Sequence, residues 1–114
     1  MYESMTESKI IVVDDNANVL KSFQRILRPE FEQVLTASRP ALLPIMLRTG
    51  YADVVLMDVN FGKENEFGKD AVYWLKKMLK ISLYPSIIII TAPEHIELAV
   101  SSFENAAVDF IVKP

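Results

Sequence analysis

The chain has no cysteine and a single histidine, His95. The first absence excludes disulfides and thiolate metal centres, and the second leaves no histidine pair from which to build a zinc site. A basic excess is also missing. Twelve Lys and Arg against 15 Asp and Glu give a net charge of −3, so there is no cationic footprint for nucleic acid. Aliphatic runs such as Ile87 to Ile90 are far too short to cross a bilayer, and the polar opening MYESMTES lacks the apolar core of a secretory signal. No repeat or linker interrupts the chain. These absences lead to the expectation of one cytoplasmic domain with no membrane span and no direct nucleic-acid contact. Its 114 residues, half of them hydrophobic, are enough to bury a core of ordinary size.

What is present is an alternation. KIIVVD (Lys9 to Asp14), the stretch around Glu32 to Ala37, DVVLMD (Asp53 to Asp58), SIIIIT (Ser86 to Thr91) and DFIV (Asp109 to Val112) read as strands. Their unbroken aliphatic runs predict burial on both faces, as in a parallel sheet covered by helices. After Asn16, residues Val19, Leu20, Phe23, Ile26 and Leu27 recur at helical spacing until Pro29. SRPALLPIMLRTG is a weaker helix: Pro40 suits a first turn, Pro44 should kink or delay it, and Gly50 is a stop signal. Ala71, Trp74, Leu75, Met78 and Leu79 form a third apolar stripe, read as core. A fourth helix opens at TAPE, with Thr91 and Glu94 as a capping box before Ile96, Ala99, Val100 and Phe103. His95 falls in that first turn and reads as exposed, not catalytic. Five strands alternating with four helices predict an open, doubly wound α/β fold, with residues 1–8 as a tail and 9–114 as the domain.

Ligands of such sheets bind beyond the carboxyl ends of the strands, where the strand order reverses. Asp14 and Asp15 close the first strand, Asp58 the third, Thr91 the fourth and Lys113 the fifth, so these side chains should gather at one edge. Three ionised carboxylates at about 5 Å, in an effective dielectric near 20, repel by roughly 3 kcal/mol per pair. They need a cation or a proton. Magnesium, which takes oxygen ligands and keeps part of its water, fits best. With the Lys113 ammonium and the Thr91 hydroxyl, the set can stabilise charge on a phosphoryl group, and a carboxylate can be its nucleophile. Each residue has a plainer reading: Asp15 or Thr91 as a helix cap, Asp58 as a turn acid, Lys113 as a solvated charge, Phe110 as core.

VVDDN, LMDVN, IIIITA and DFIVKP, in this order and on these strands, resemble the receiver domain of two-component response regulators across essentially the whole chain. The resemblance implies a flavodoxin-like fold, with Asp58 as phosphoacceptor from a phosphohistidine of a sensor histidine kinase. It implies magnesium bound by Asp15, Asp58 and the backbone carbonyl of Asn60, with Asp14 acting largely through water. Thr91 follows the phosphoryl group, Lys113 pairs with it, and Phe110 takes the place of the family's rotating aromatic. Such a domain catalyses only its own phosphorylation and dephosphorylation, and relays the change to an output domain that is normally C-terminal.

Departures from the family pattern are also visible. VNFGKENEFGKDA after Asp58 lacks the proline often found there and is about two residues longer before Gly68, and Pro93 stands where a residue influencing acyl-phosphate hydrolysis varies. The chain stops at Lys113-Pro114, where the family continues into a fifth helix, which suggests a piece of a longer regulator. Ile111 would then be exposed and favour a homodimer. The loop and the ELAV segment resemble receivers of transcription activators with an ATPase core. Two rival readings are a receiver-like interaction module that is never phosphorylated and a haloacid-dehalogenase-type phosphatase. The latter places its nucleophile after the first strand and needs a second acid where Asn60 stands.

Overall fold

The computed structural model describes residues 8–50, 52–58, 77, 80, 85–91 and 109–112; for Pro40, Thr91 and Phe110 it describes the backbone alone. The third and fourth helices expected from sequence, with Trp74 and His95, lie outside these residues, as do the loop after Asp58, Asn60, Pro93 and Lys113. Five strands are present: β1 (Lys9–Val13), β2 (Gln33–Ala37), β3 (Val54–Asp58), β4 (Ser86–Thr91) and β5 (Asp109–Val112). All neighbours are parallel, in the order β2-β1-β3-β4-β5. Each boundary falls within a residue of the aliphatic run that suggested it.

The alternation of strand side chains separates two cores. Ile11, Val13, Val55, Met57, Ile87 and Ile89 face one side, where α2 (Leu43–Thr49) supplies Leu43 and Leu47. Ile10, Val12, Leu56 and Ile90 face the other, where α1 (Ala17–Leu27) supplies Leu20, with Phe23 and Leu27 packed against them. A helix on each face is the doubly wound arrangement, and burial on both faces is why the inner strands β1, β3 and β4 carry unbroken aliphatic runs. Each fully buried Ile, Leu or Val contributes about 1.5–3 kcal/mol of transfer free energy. Ile26 was expected on the packed stripe of α1, but it is 65 % exposed. It lies about 100° round the helix from Leu27, beyond the edge of the stripe that meets the sheet.

Local chemistry sets the helix ends. The Asn16 side chain accepts the N–H groups of Asn18 (2.9 Å) and Val19 (3.2 Å), so Asn16 caps α1 and Asp15 does not. Asn16→Ala should therefore cost about 1 kcal/mol of stability, read as a lower denaturant midpoint at unchanged slope. In the second connection Pro44 delays the helix and does not kink it. A single 3-10 turn, Pro40–Leu42, precedes α2, which places Pro44 at its second residue, where no backbone donor is lost. Gly50 ends α2 with φ −167°, an extended conformation open to any residue, and a Cβ there would meet nothing within 4 Å. The stop is real, but it does not depend on glycine.

Candidate functional site

Because all five strands run in parallel, their carboxyl ends share one edge of the sheet. The order β2-β1-β3 reverses the winding direction at β1, and the edge beyond the ends of β1 and β3 is where doubly wound sheets take their ligands. Asp14 directly follows β1 and Asp58 is the last residue of β3. Both are buried, at 4 % and 6 % exposure, and they are the two buried charged residues among those described.

Asp14 is held by its backbone and its side chain together. Its N–H donates to the Ala37 carbonyl at 3.1 Å, which extends the β1–β2 ladder by one residue. Its carboxylate accepts the Asn16 N–H at 2.9 Å, closing a two-residue turn, and the Asn16 side chain then caps α1. One short stretch thus ends a strand, fixes an acid and starts a helix. Asn16 is a positioning residue that the sequence reading used only as a helix boundary. The spacing Asp-x-Asn, typical of such turns, was the available signal.

The Asp14 carboxyl is pushed up from 3.8 to about 6. Burial is the largest cause; the Asn16 N–H opposes it, and the Asp58 carboxylate adds to it by charge and by a side-chain hydrogen bond, with a smaller push from Asp15. Two buried carboxylates this close disfavour ionisation of Asp14, and a bound cation would relieve the repulsion.

The other expected site residues are placed less completely. Asp15 is exposed, one residue beyond the buried pair. The Thr91 backbone closes β4 one register step beyond the Asp58–Ile90 pair, and it is matched across β5 to Val112, the residue before Lys113. The Phe110 backbone pairs with Ile89, a residue of the core beneath α2. Asn60 and Lys113 are outside the described residues. The structure thus brings Asp14 and Asp58 together. Among the described residues, no three acidic or histidine side chains are grouped so that they could hold an ion. The buried pair nonetheless fits a hard divalent cation: it is oxygen-only and anionic, and burial together with the neighbouring Asp58 charge raises the proton affinity of Asp14. Among the described residues no helix is long and apolar enough to span a membrane.

The sequence matches the family described as the response regulator receiver domain over residues 10–114. It is 30 % identical over 111 residues to the alginate biosynthesis transcriptional regulatory protein AlgB of Pseudomonas aeruginosa, covering 97 % of this chain and 24 % of that protein. It is 31 % identical to a protein-glutamate methylesterase/protein-glutamine glutaminase of Hydrogenovibrio crunogenus, covering 96 % of this chain and 29 % of that one. The chain therefore spans about a quarter to a third of the length of these relatives. Among solved structures, the N-terminal signal receiver domain of a two-component response regulator from Bacteroides fragilis superposes with a TM-score of 0.80 at 36 % identity, covering 95 % of this chain and 85 % of that one. NtrX from Brucella abortus, solved with ADP, gives 0.79 at 25 % identity, covering 95 % and 24 %.

Proposed function

Since the chain belongs to the response regulator receiver family, we propose that it accepts a phosphoryl group on Asp58 from a phosphohistidine of a sensor histidine kinase. The observation that carries this reading is the placement of Asp58: buried, last in β3, at the edge where the winding reverses, and in contact with a second acid. A carboxylate oxygen of Asp58 attacks phosphorus, the bond from phosphorus to the histidine nitrogen breaks, and the imidazole leaves with the electron pair and takes up a proton. The product is an acyl phosphate on Asp58.

In this reading Asp14, Asp15, Asp58 and the backbone carbonyl of Asn60 hold magnesium. The ion would neutralise charge on the phosphoryl oxygens. Lys113 offers an ammonium to those oxygens and Thr91 a hydroxyl. The added group brings about −1.5 to −2 charges, and drawing Thr91 toward it biases the end of β4 and, through the neighbouring β5, Phe110. The likeness to AlgB, a transcriptional regulatory protein, favours an output in transcription control, in the compartment that houses the kinase's catalytic domain. Intact mass after incubation with acetyl phosphate tests the reading. One phosphoryl adduct with magnesium and none with chelator supports it. No adduct in either condition, with kinases also failing, leaves an interaction module that is never phosphorylated.

A further inference from the structure

We propose that the open edge of β2 is a self-association surface, on which a second copy of this chain pairs antiparallel through its own β2 to make one continuous sheet. β2 is an outer strand of the sheet. The Gln33 N–H donates to the Ser8 carbonyl and the Ala37 carbonyl accepts the Asp14 N–H, so residues 33, 35 and 37 turn their backbone groups toward β1. By the alternation of a parallel ladder, Val34 and Thr36 turn theirs outward. The direction is visible at Val34, whose carbonyl accepts the Gln24 side-chain amide at a long 3.5 Å. Among the described residues, this is the one hydrogen bond that reaches the outer row.

Outer strands are ordinarily protected by Lys, Pro, a bulge or an overlying element. QVLTA has none of the residue-level guards, and its Leu35 is 40 % exposed. Beside Leu35 lies an open cleft of about 400 Å³, also bordered by Lys9, Gln33, Met46 and Thr49, so there is free space between β2 and α2 on this face.

The register identifies the occupant. If two copies meet about a two-fold axis through Leu35, Val34 of each faces Thr36 of the other. These are the residues with outward backbone groups, and each of the two pairs exchanges two hydrogen bonds. Leu35 meets Leu35 at the axis as a non-hydrogen-bonded pair, the closer kind, and β-branched Val34 and Thr36 pack across the ribbon on the α1 side. No charge on β2 opposes a like charge. At each end Glu32 of one copy comes across from the Ser38–Arg39 bend of the other, so opposite charges approach at both ends. A single ribbon of this size makes a transient contact, in the range of small interfaces.

The absence of native cysteine gives a direct test. Leu35→Cys places two thiols across the axis within disulfide reach, whereas Gln33→Cys, on the same strand and face, lies opposite Ala37 of the other copy and out of reach of its counterpart. Under mild oxidation Leu35→Cys should form covalent dimer at least about tenfold faster than Gln33→Cys. Without any oxidant, light scattering of the unmodified chain should show mass rising with concentration, and Leu35→Lys should weaken that association by at least about tenfold, since it sets two ammonium groups face to face. Far-ultraviolet circular dichroism checks that all three variants are folded. Equal cross-linking of the two cysteine variants, a monomer at every concentration, or a Leu35→Lys chain that associates as the parent does would each overturn the proposal.

Discussion

Asp58→Asn should leave the chain folded, and more stable without metal than the parent above pH 6, yet wholly unable to take a phosphoryl group from acetyl phosphate or from a kinase. The amide has the shape of the carboxylate, so the end of β3 keeps its packing. Its oxygen and nitrogen are not nucleophiles at neutral pH, and the acyl phosphate cannot form. Removing this charge also removes the partner that, after burial, raises the proton affinity of Asp14. Loss of chemistry and gain of stability are thus expected from one substitution, which separates a missing nucleophile from a damaged fold. The measurement is intact mass in magnesium alongside a thermal melt in chelator. A variant that still acquires one phosphoryl group would show that another side chain is the acceptor, and Asp14 or Asp15 would be next to examine.

The second large effect concerns acid. With its carboxyl raised from 3.8 to about 6, the native state holds more protons at Asp14 than the unfolded chain does between those two values. Stability therefore falls as pH rises through that window. The contribution is fully present below pH 3.8 and is lost as pH passes about 6, to a limit of up to about 3 kcal/mol. Acidic residues stabilised in the folded state usually give the opposite slope, so the sign is diagnostic. In chelator, Asp14→Asn should abolish this component, because its side-chain oxygen can still accept the Asn16 N–H without bearing charge. Magnesium should raise the stability of the parent most at high pH, where both carboxylates are ionised. Melting curves across pH, with and without magnesium, check this. If the parent and Asp14→Asn run parallel from pH 4 to pH 7, the buried pair does not govern the response.

Much of this architecture could be read from residue order because the relevant signals are local. SIIIIT and DFIV became β4 and β5 without change of boundary; the run in β4 suits a strand covered on both faces, whereas β5 leaves Ile111 and Val112 exposed. Pro44 left two outcomes open, and the extra 3-10 turn ahead of it decided for delay. The exposure of Ile26 was less legible, because helical spacing alone does not say how wide a stripe the sheet can cover. The site was legible in its members but not in its internal arrangement. Asp14 and Asp15 are chemically identical neighbours, and which one is buried depends on how far the β1–β2 ladder continues. One further backbone hydrogen bond, from Asp14 to Ala37, keeps the first acid inside, and the chain then turns outward at the second. The unguarded edge of β2 was invisible for a similar reason: QVLTA reads as any strand until its neighbours are known.

The strand order also bears on how the molecule comes into being on the ribosome. β1 is made first among the strands, yet it stands inside the sheet between β2 and β3. Every hydrogen-bonded neighbour of β1, with both helices described here, is encoded before residue 59. The pairings of β3 are different, because its second edge meets β4, which is made later. A domain generally folds as a unit, so Asp14 and Asp58 are expected to come together only when the later strands are also available to cover β3.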